Sequence, residues 1–163
     1  SSGNGNTSAD PEVLVASGRL AGADASTGLR APTITSMRFV KGTAAATDLT
    51  AGSSSQTIQV EITWDEGVTV AGSPTVAVAN GNQGTGSGRG PYTLVYTATG
   101  STANRKRFTA TSQSLGNTDV LTLGGSNISL NSGTISDTVV GGTTLAASLV
   151  LSGLSAVAVT IAS

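Results

Sequence analysis

The sequence predicts an all-β fold, a two-sheet sandwich over residues 32–163 preceded by an extended N-terminal arm over residues 1–31. Apolar and polar side chains alternate through VEITWDEGVTVAGSPTVAVANG, residues 60–81. There Val60, Ile62 and Trp64 share one face while Glu61, Thr63 and Asp65 share the other. The breaks fall on turn formers, Gly72-Ser73-Pro74 and the tight-turn dipeptide Asn80-Gly81. The 22 glycines and the 10% of charged residues suit many short strands joined by tight turns.

The elements follow in chain order. SSGNGNTSADPE has no basic stretch followed by an apolar core, so it does not read as a secretory signal. A start at Ser1 without Met is what removal of an initiator Met or of a signal would leave, and the expectation is a natural mature chain, with a lean toward a cytoplasmically made virion protein. In VLVASGRLAGADASTGLRAP, Gly18, Gly22 and Gly28 break every helical run. Residues 1–31 are therefore either a disordered leader or an arm ordered on a neighbouring subunit, with Val13, Leu14, Val15, Leu20 and Leu29 as anchors.

Strands are expected near 33–41, 56–65, 68–70, 74–79, 92–99, 106–112, 119–123, 127–131, 145–151 and 155–162, a spacing that fits two packed sheets. Phe39, Val60, Ile62, Trp64, Val76, Val78, Leu94 and Tyr96 are the expected core, with Tyr92 packed beside them. The loop 81–91 is Gly-rich, with Arg89 its single charge, and is expected to move unless a partner holds it. From Thr138 to Ser163 no residue is charged, and the length would allow a membrane span. The Ser, Thr and Gly content, the missing interfacial anchors and the alternation of Val157, Val159 and Ile161 favour a terminal pair of strands instead.

The run from Val60 to Gly81 resembles an immunoglobulin-like module of bacterial surface proteins and bacteriophage structural proteins. Its consensus runs roughly Val-x-Val-x-Phe-x-Glu-x-Val-x-Val-x-Gly-x-Pro-x-Leu-x-Leu-x-Asn-Gly. Trp64 takes the Phe place, and Val76 and Val78 take the Leu places. The resemblance continues through Tyr92, Leu94 and Tyr96 in PYTLVYTA and through Ile128, Leu130, Gly133, Ile135 and Asp137 in NISLNSGTISD, covering roughly residues 32–150. It implies an immunoglobulin-like sandwich and a binding or spacing role rather than an enzymatic one.

Composition narrows the chemistry. With no Cys and no His there is neither a disulfide nor a thiolate, and the usual neutral-pH proton shuttle and commonest zinc ligand are missing. A net charge of −1 gives no long-range attraction to nucleic acid or anionic lipid, so neither is an expected partner. No catalytic, cofactor or metal residues are assigned. Asp65 and Glu66, adjacent on a strand, would face opposite ways and read as solvated strand-end carboxylates. Asp119 and Asp137 lack the spacing of a calcium loop. Arg105-Lys106-Arg107 reads as a solvated turn or a salt-bridging contact to an acidic neighbour. A serine nucleophile would have only Lys41 or Lys106 as base, and no Gly-x-Ser-x-Gly elbow is present.

The core is lean, with 37% hydrophobic and 3% aromatic residues, so burial against neighbouring copies would supplement it. The expected function is a phage capsid decoration or cement protein on the virion surface, bound to the major capsid protein and to copies of itself as trimers. A module of a bacterial cell-surface adhesin and a phage tail or fibre component are the alternatives. A lone module without internal repeats favours the first.

Overall fold

A computed structural model describes residues 31–41, 44–45, 49–81, 89–138 and 144–162, with backbone alone at 44–45 and 52–54. Val13, Leu14, Val15, Leu20, Leu29 and most of the Gly-rich loop lie outside the described residues. Among the described residues the chain is all-β: β1 (Ile34–Lys41), β2 (Ala44–Ala45), β3 (Gly52–Trp64), β4 (Val68–Ala71), β5 (Thr75–Asn80), β6 (Tyr92–Thr97), β7 (Arg105–Leu115), β8 (Val120–Leu123), β9 (Thr134–Asp137) and β10 (Val157–Thr160).

Eight strands form one antiparallel sheet in the order β10-β8-β5-β6-β7-β3-β1-β2, and β4 and β9 pair as a separate two-stranded ribbon. The large sheet curls back on itself. β1 touches β10, and Ala162 forms a parallel bridge to Thr50, with the Ala51 amide donating to the Ala162 carbonyl at 2.8 Å. Such curling covers part of an open strand edge, which otherwise invites pairing with other chains.

The period of two explains the interior. Ile58, Val60, Ile62 and Trp64 on β3 point inward with Phe108 on β7, Val76 and Val78 on β5, and Leu94 on β6, all essentially inaccessible to water. Phe39 is buried with them. Tyr96 is only half-buried and packs edge-on against Phe108, ring centroids 6.2 Å apart. Trp64 keeps its indole N–H satisfied by donating to the Ser148 carbonyl at 3.0 Å, and the buried Tyr92 hydroxyl donates to Ser114 O at 2.8 Å.

Three irregularities bend the long strands. Across β1 and β3 the register moves from Ile34↔Trp64 to Ser36↔Thr63, so Thr35 is an extra residue. Across β3 and β7 it moves from Ile58↔Ala110 to Gln56↔Gln113, an extra residue in β7 where Ser112 takes φ 59°, and a further shift separates Gln56 from Gly52. Bulges of this kind increase twist and re-aim side chains.

The segments expected as strands at 127–131 and 145–151 are not strands. Each exchanges partners residue by residue: Ser129 bridges Thr75, Ala146 bridges Ser136, Ala147 N donates to Ile135 O, Ser148 N to Pro32 O, and Ile128 N to Leu149 O. Backbone groups are satisfied without any continuous ladder. The strand at 134–137 was not expected. It lies where Gly133 packs against the β4 end, touching the Ala71 carbonyl so closely that a Cβ would not fit. In the charge-free tail, no helix among the described residues is long and apolar enough to cross a membrane. Its β10 pairs with β8 from Val157↔Leu123 to Thr160↔Val120.

Candidate functional site

The outer face of the large sheet carries one row of charged side chains across three strands. Thr35 sets it up: because the bulge consumes one residue, Ile34 stays opposite inward-facing Trp64 while Ser36 and Arg38 align with outward-facing Thr63 and Glu61. On the other side of β3, Glu61 lies opposite Arg107 and Thr63 opposite Arg105. Cross-strand neighbours on one face lie close enough for opposite charges to pair.

Glu61 is the hub. It is 1% exposed although it faces outward, because the long side chains around it close over it. Arg38 donates Nε and Nη2 to its Oε2 at 2.9 and 2.7 Å, and Arg107 donates Nη2 to Oε1 at 2.6 Å. Arg105 Nε stands 3.5 Å from Oε2. Burial alone would raise the Glu61 pKa. The hydrogen bonds from Arg107 and Arg38 and the charge of Arg105 outweigh it and hold the carboxyl below its usual range. Glu61 therefore stays ionised at neutral pH.

Arg107 is enclosed by the loop between β6 and β7, residues 98–104. Ser101 Oγ accepts from the Arg107 amide at 2.9 Å and donates to the Thr97 carbonyl at 2.7 Å. Gly100, at φ 81°, lies over the guanidinium, where a Cβ would come within 2.7 Å of it. Beside this loop a cleft of about 420 Å³ opens on the sheet face, lined by Ser36, Arg38, Thr63, Thr102, Asn104 and Arg105.

Other polar groups play structural parts. Asp119 is buried at the start of β8. It accepts from Arg89 Nε at 3.0 Å, Asn80 Nδ2 at 2.8 Å and the Gly116 amide at 2.8 Å. Burial pushes its pKa up, and these bonds more than reverse that, bringing it to about 2. Arg89, expected as the lone charge of a surface loop, is instead tied to this carboxylate. Asp137 receives the Leu145 amide at 2.8 Å. Asp65 is not a merely solvated carboxylate, since Thr33 N donates to it at 2.8 Å.

The basic triplet is on a strand, not in a solvated turn, because β7 begins at Arg105. Its alternation splits the three. Arg105 and Arg107 join the outer row, while Lys106 is buried on the opposite face beside Ile62 and donates to Thr102 O at 2.8 Å. Burial lowers the Lys106 pKa. Among the described residues no serine hydroxyl bonds to it, and no group of three or more His, Cys, Asp or Glu side chains gathers where a metal ion could sit.

Alternation in the sequence separates Glu61 from Val60 and Ile62 but does not pair it. Opposite charges recurring at outward positions of Arg38, Glu61 and Arg107 were the available signal, and the Thr35 bulge that brings them level leaves no mark in the alternation. Comparison with protein-family models, with curated proteins and with solved structures returns no match.

Proposed function

We propose that the chain is a non-enzymatic structural protein of a virion: an immunoglobulin-like decoration or cement module on the outer shell of a bacteriophage head, contacting the major capsid protein and further copies of itself. The observation that supports this reading is how the fold spends its buried charge. Glu61, Asp119 and Asp137 each accept hydrogen bonds from neighbouring strands or loops, so they tie the fold together instead of facing a substrate. Glu61 and Asp119, whose pKa values these hydrogen bonds push down, lack the near-neutral proton affinity that acid or base catalysis at neutral pH uses. The resemblance carried by Val60, Ile62, Trp64, Val76 and Val78 supplies the class of module.

The test is occupancy on empty shells of the phage that encodes the chain, compared by sedimentation for the full chain and for a chain lacking residues 1–31. The full chain is expected to co-sediment at saturable occupancy. The truncated chain should bind sharply less, because Val13, Leu14, Val15, Leu20 and Leu29 are assigned to the interface. Equal occupancy would remove the arm from the interface. A full chain that binds no shell would overturn the reading in favour of a cell-surface adhesin module.

A further inference from the structure

We infer that the cleft beside Glu61 is a binding site for an oxyanion, a carboxylate or phosphate group carried by a small molecule, with Arg105 as its principal ligand and Arg38 as the second. Charge is the first support. Three guanidinium groups converge on one carboxylate, so the cluster keeps a formal excess of two positive charges. The excess is unevenly placed. Arg107 is enclosed under Gly100 and Ser101, whereas the side chains of Arg38 and Arg105 are 44% and 38% exposed and both line the cleft.

Arg105 is also under-used. Arg38 and Arg107 fill Glu61 with hydrogen bonds, while Arg105 makes only the 3.5 Å approach, and its buried Nε has no hydrogen-bond partner among the described residues. A guanidinium presents its N–H groups as a planar fork that matches carboxylate and phosphate oxygens. The remaining lining, the Ser36, Thr63 and Thr102 hydroxyls and the Asn104 amide, whose Nδ2 spends one N–H on the Trp64 carbonyl at 3.3 Å and keeps a second, offers further donors around the same space. Among the described residues no carboxylate lines the cleft to repel an anion. A volume of about 420 Å³ exceeds what a bare phosphate needs, leaving room for the molecule that bears it. This inference does not depend on where the chain is bound, on a shell or elsewhere.

The test follows the Arg105 Nε–Hε NMR signal of the full chain during titration with inorganic phosphate and, separately, with citrate, each against sodium chloride at matched ionic strength. The expected result is a saturable shift with at least one of the two oxyanions and none with chloride; the responding probe tells tetrahedral from planar recognition. Arg105→Gln should weaken binding, read from the Asn104 amide signals, by about tenfold or more, the usual effect of losing a charge-assisted hydrogen bond. That variant leaves all the Glu61 hydrogen bonds in place, so folding is kept. Arg105→Lys should fall between, because charge remains and the fork is lost. An equal response to chloride, no response to either oxyanion, or undiminished binding by Arg105→Gln would overturn the assignment.

Discussion

Glu61 shows how one residue can hold three strands. Its two oxygens take up three hydrogen bonds from β1 and β7 while its own backbone belongs to β3, so removing the charge affects every pairing around it. Breaking a buried ion pair from one side leaves the partner charge uncompensated, at a cost of about 3–5 kcal/mol. For Glu61→Gln the low end, about 3 kcal/mol, is expected, because Arg38 and Arg105 retain access to water and only Arg107 is fully enclosed. The pH dependence has a definite sign. A folded pKa below the ordinary 4.5 means that the ionised carboxylate stabilises the fold above that pH, and the contribution disappears as acid titrates it. The stability gap between wild type and Glu61→Gln, measured by urea denaturation, should therefore be constant above about pH 4.5 and narrow below it. Asp119, brought from 3.8 to about 2, adds a parallel acid loss to both proteins and leaves the gap unaffected. A gap that widens on acidification would contradict the ion-pair account. Which strand Glu61 sits on, and that it faces away from Val60 and Ile62, was legible in the alternation. Its partners were not, since they come from residues 23 and 46 positions away.

At the scale of elements, a strand was readable wherever the chain keeps one partner for several residues. Val60 to Trp64 and Val76 to Val78 lie in such ladders, and their alternation corresponds directly to buried and exposed faces. Residues 127–131 and 145–151 have strand-like composition but change partners at each step, a choice made by tertiary contacts. The Thr35 and Ser112 bulges were equally hidden, since neither site carries Gly or another usual marker. The loop at 98–104 offers a direct test of how an element encloses the charged row. Gly100 combines φ 81° with a 2.7 Å approach to the Arg107 guanidinium, so Gly100→Ala adds left-handed strain and pushes the arginine away from Glu61. Left-handed backbone alone costs a non-glycine residue about 1–2 kcal/mol. The expected outcome is a lower melting temperature together with a shifted Arg107 Nε–Hε NMR signal. A variant that melts like wild type would mean that the loop does not constrain Arg107.

For the whole molecule, the decisive contacts are those that curl the large sheet closed. β10 is the last strand of that sheet and covers the outer edge of β8, and the residues just beyond it reach the segment before β3. The Thr118 amide donates to Ile161 O, Ile161 N to Asp119 O, Ala51 N to Ala162 O, and Ala162 N to Leu49 O. Val159 and Ile161 are buried in the same core as Trp64. Full burial of two such side chains is worth about 1.5–3 kcal/mol each, before counting the ladder. A domain's whole stability is of order 5–15 kcal/mol, and this chain builds its core with few aromatics. Truncation after Ala156 is therefore expected to abolish cooperative thermal unfolding, because β8 keeps only β5 and becomes an open edge, and the two core side chains leave together. Ile161→Ala alone should cost about 2–5 kcal/mol with the cooperative transition kept. Deleting residues 1–31 removes none of these contacts and should leave the melt near that of the full chain. Calorimetry on the three variants ranks them. A truncated chain that melted within a few degrees of the full one would mean that the sheet is stable without its closing strand, and that the terminal strand serves contacts outside the fold.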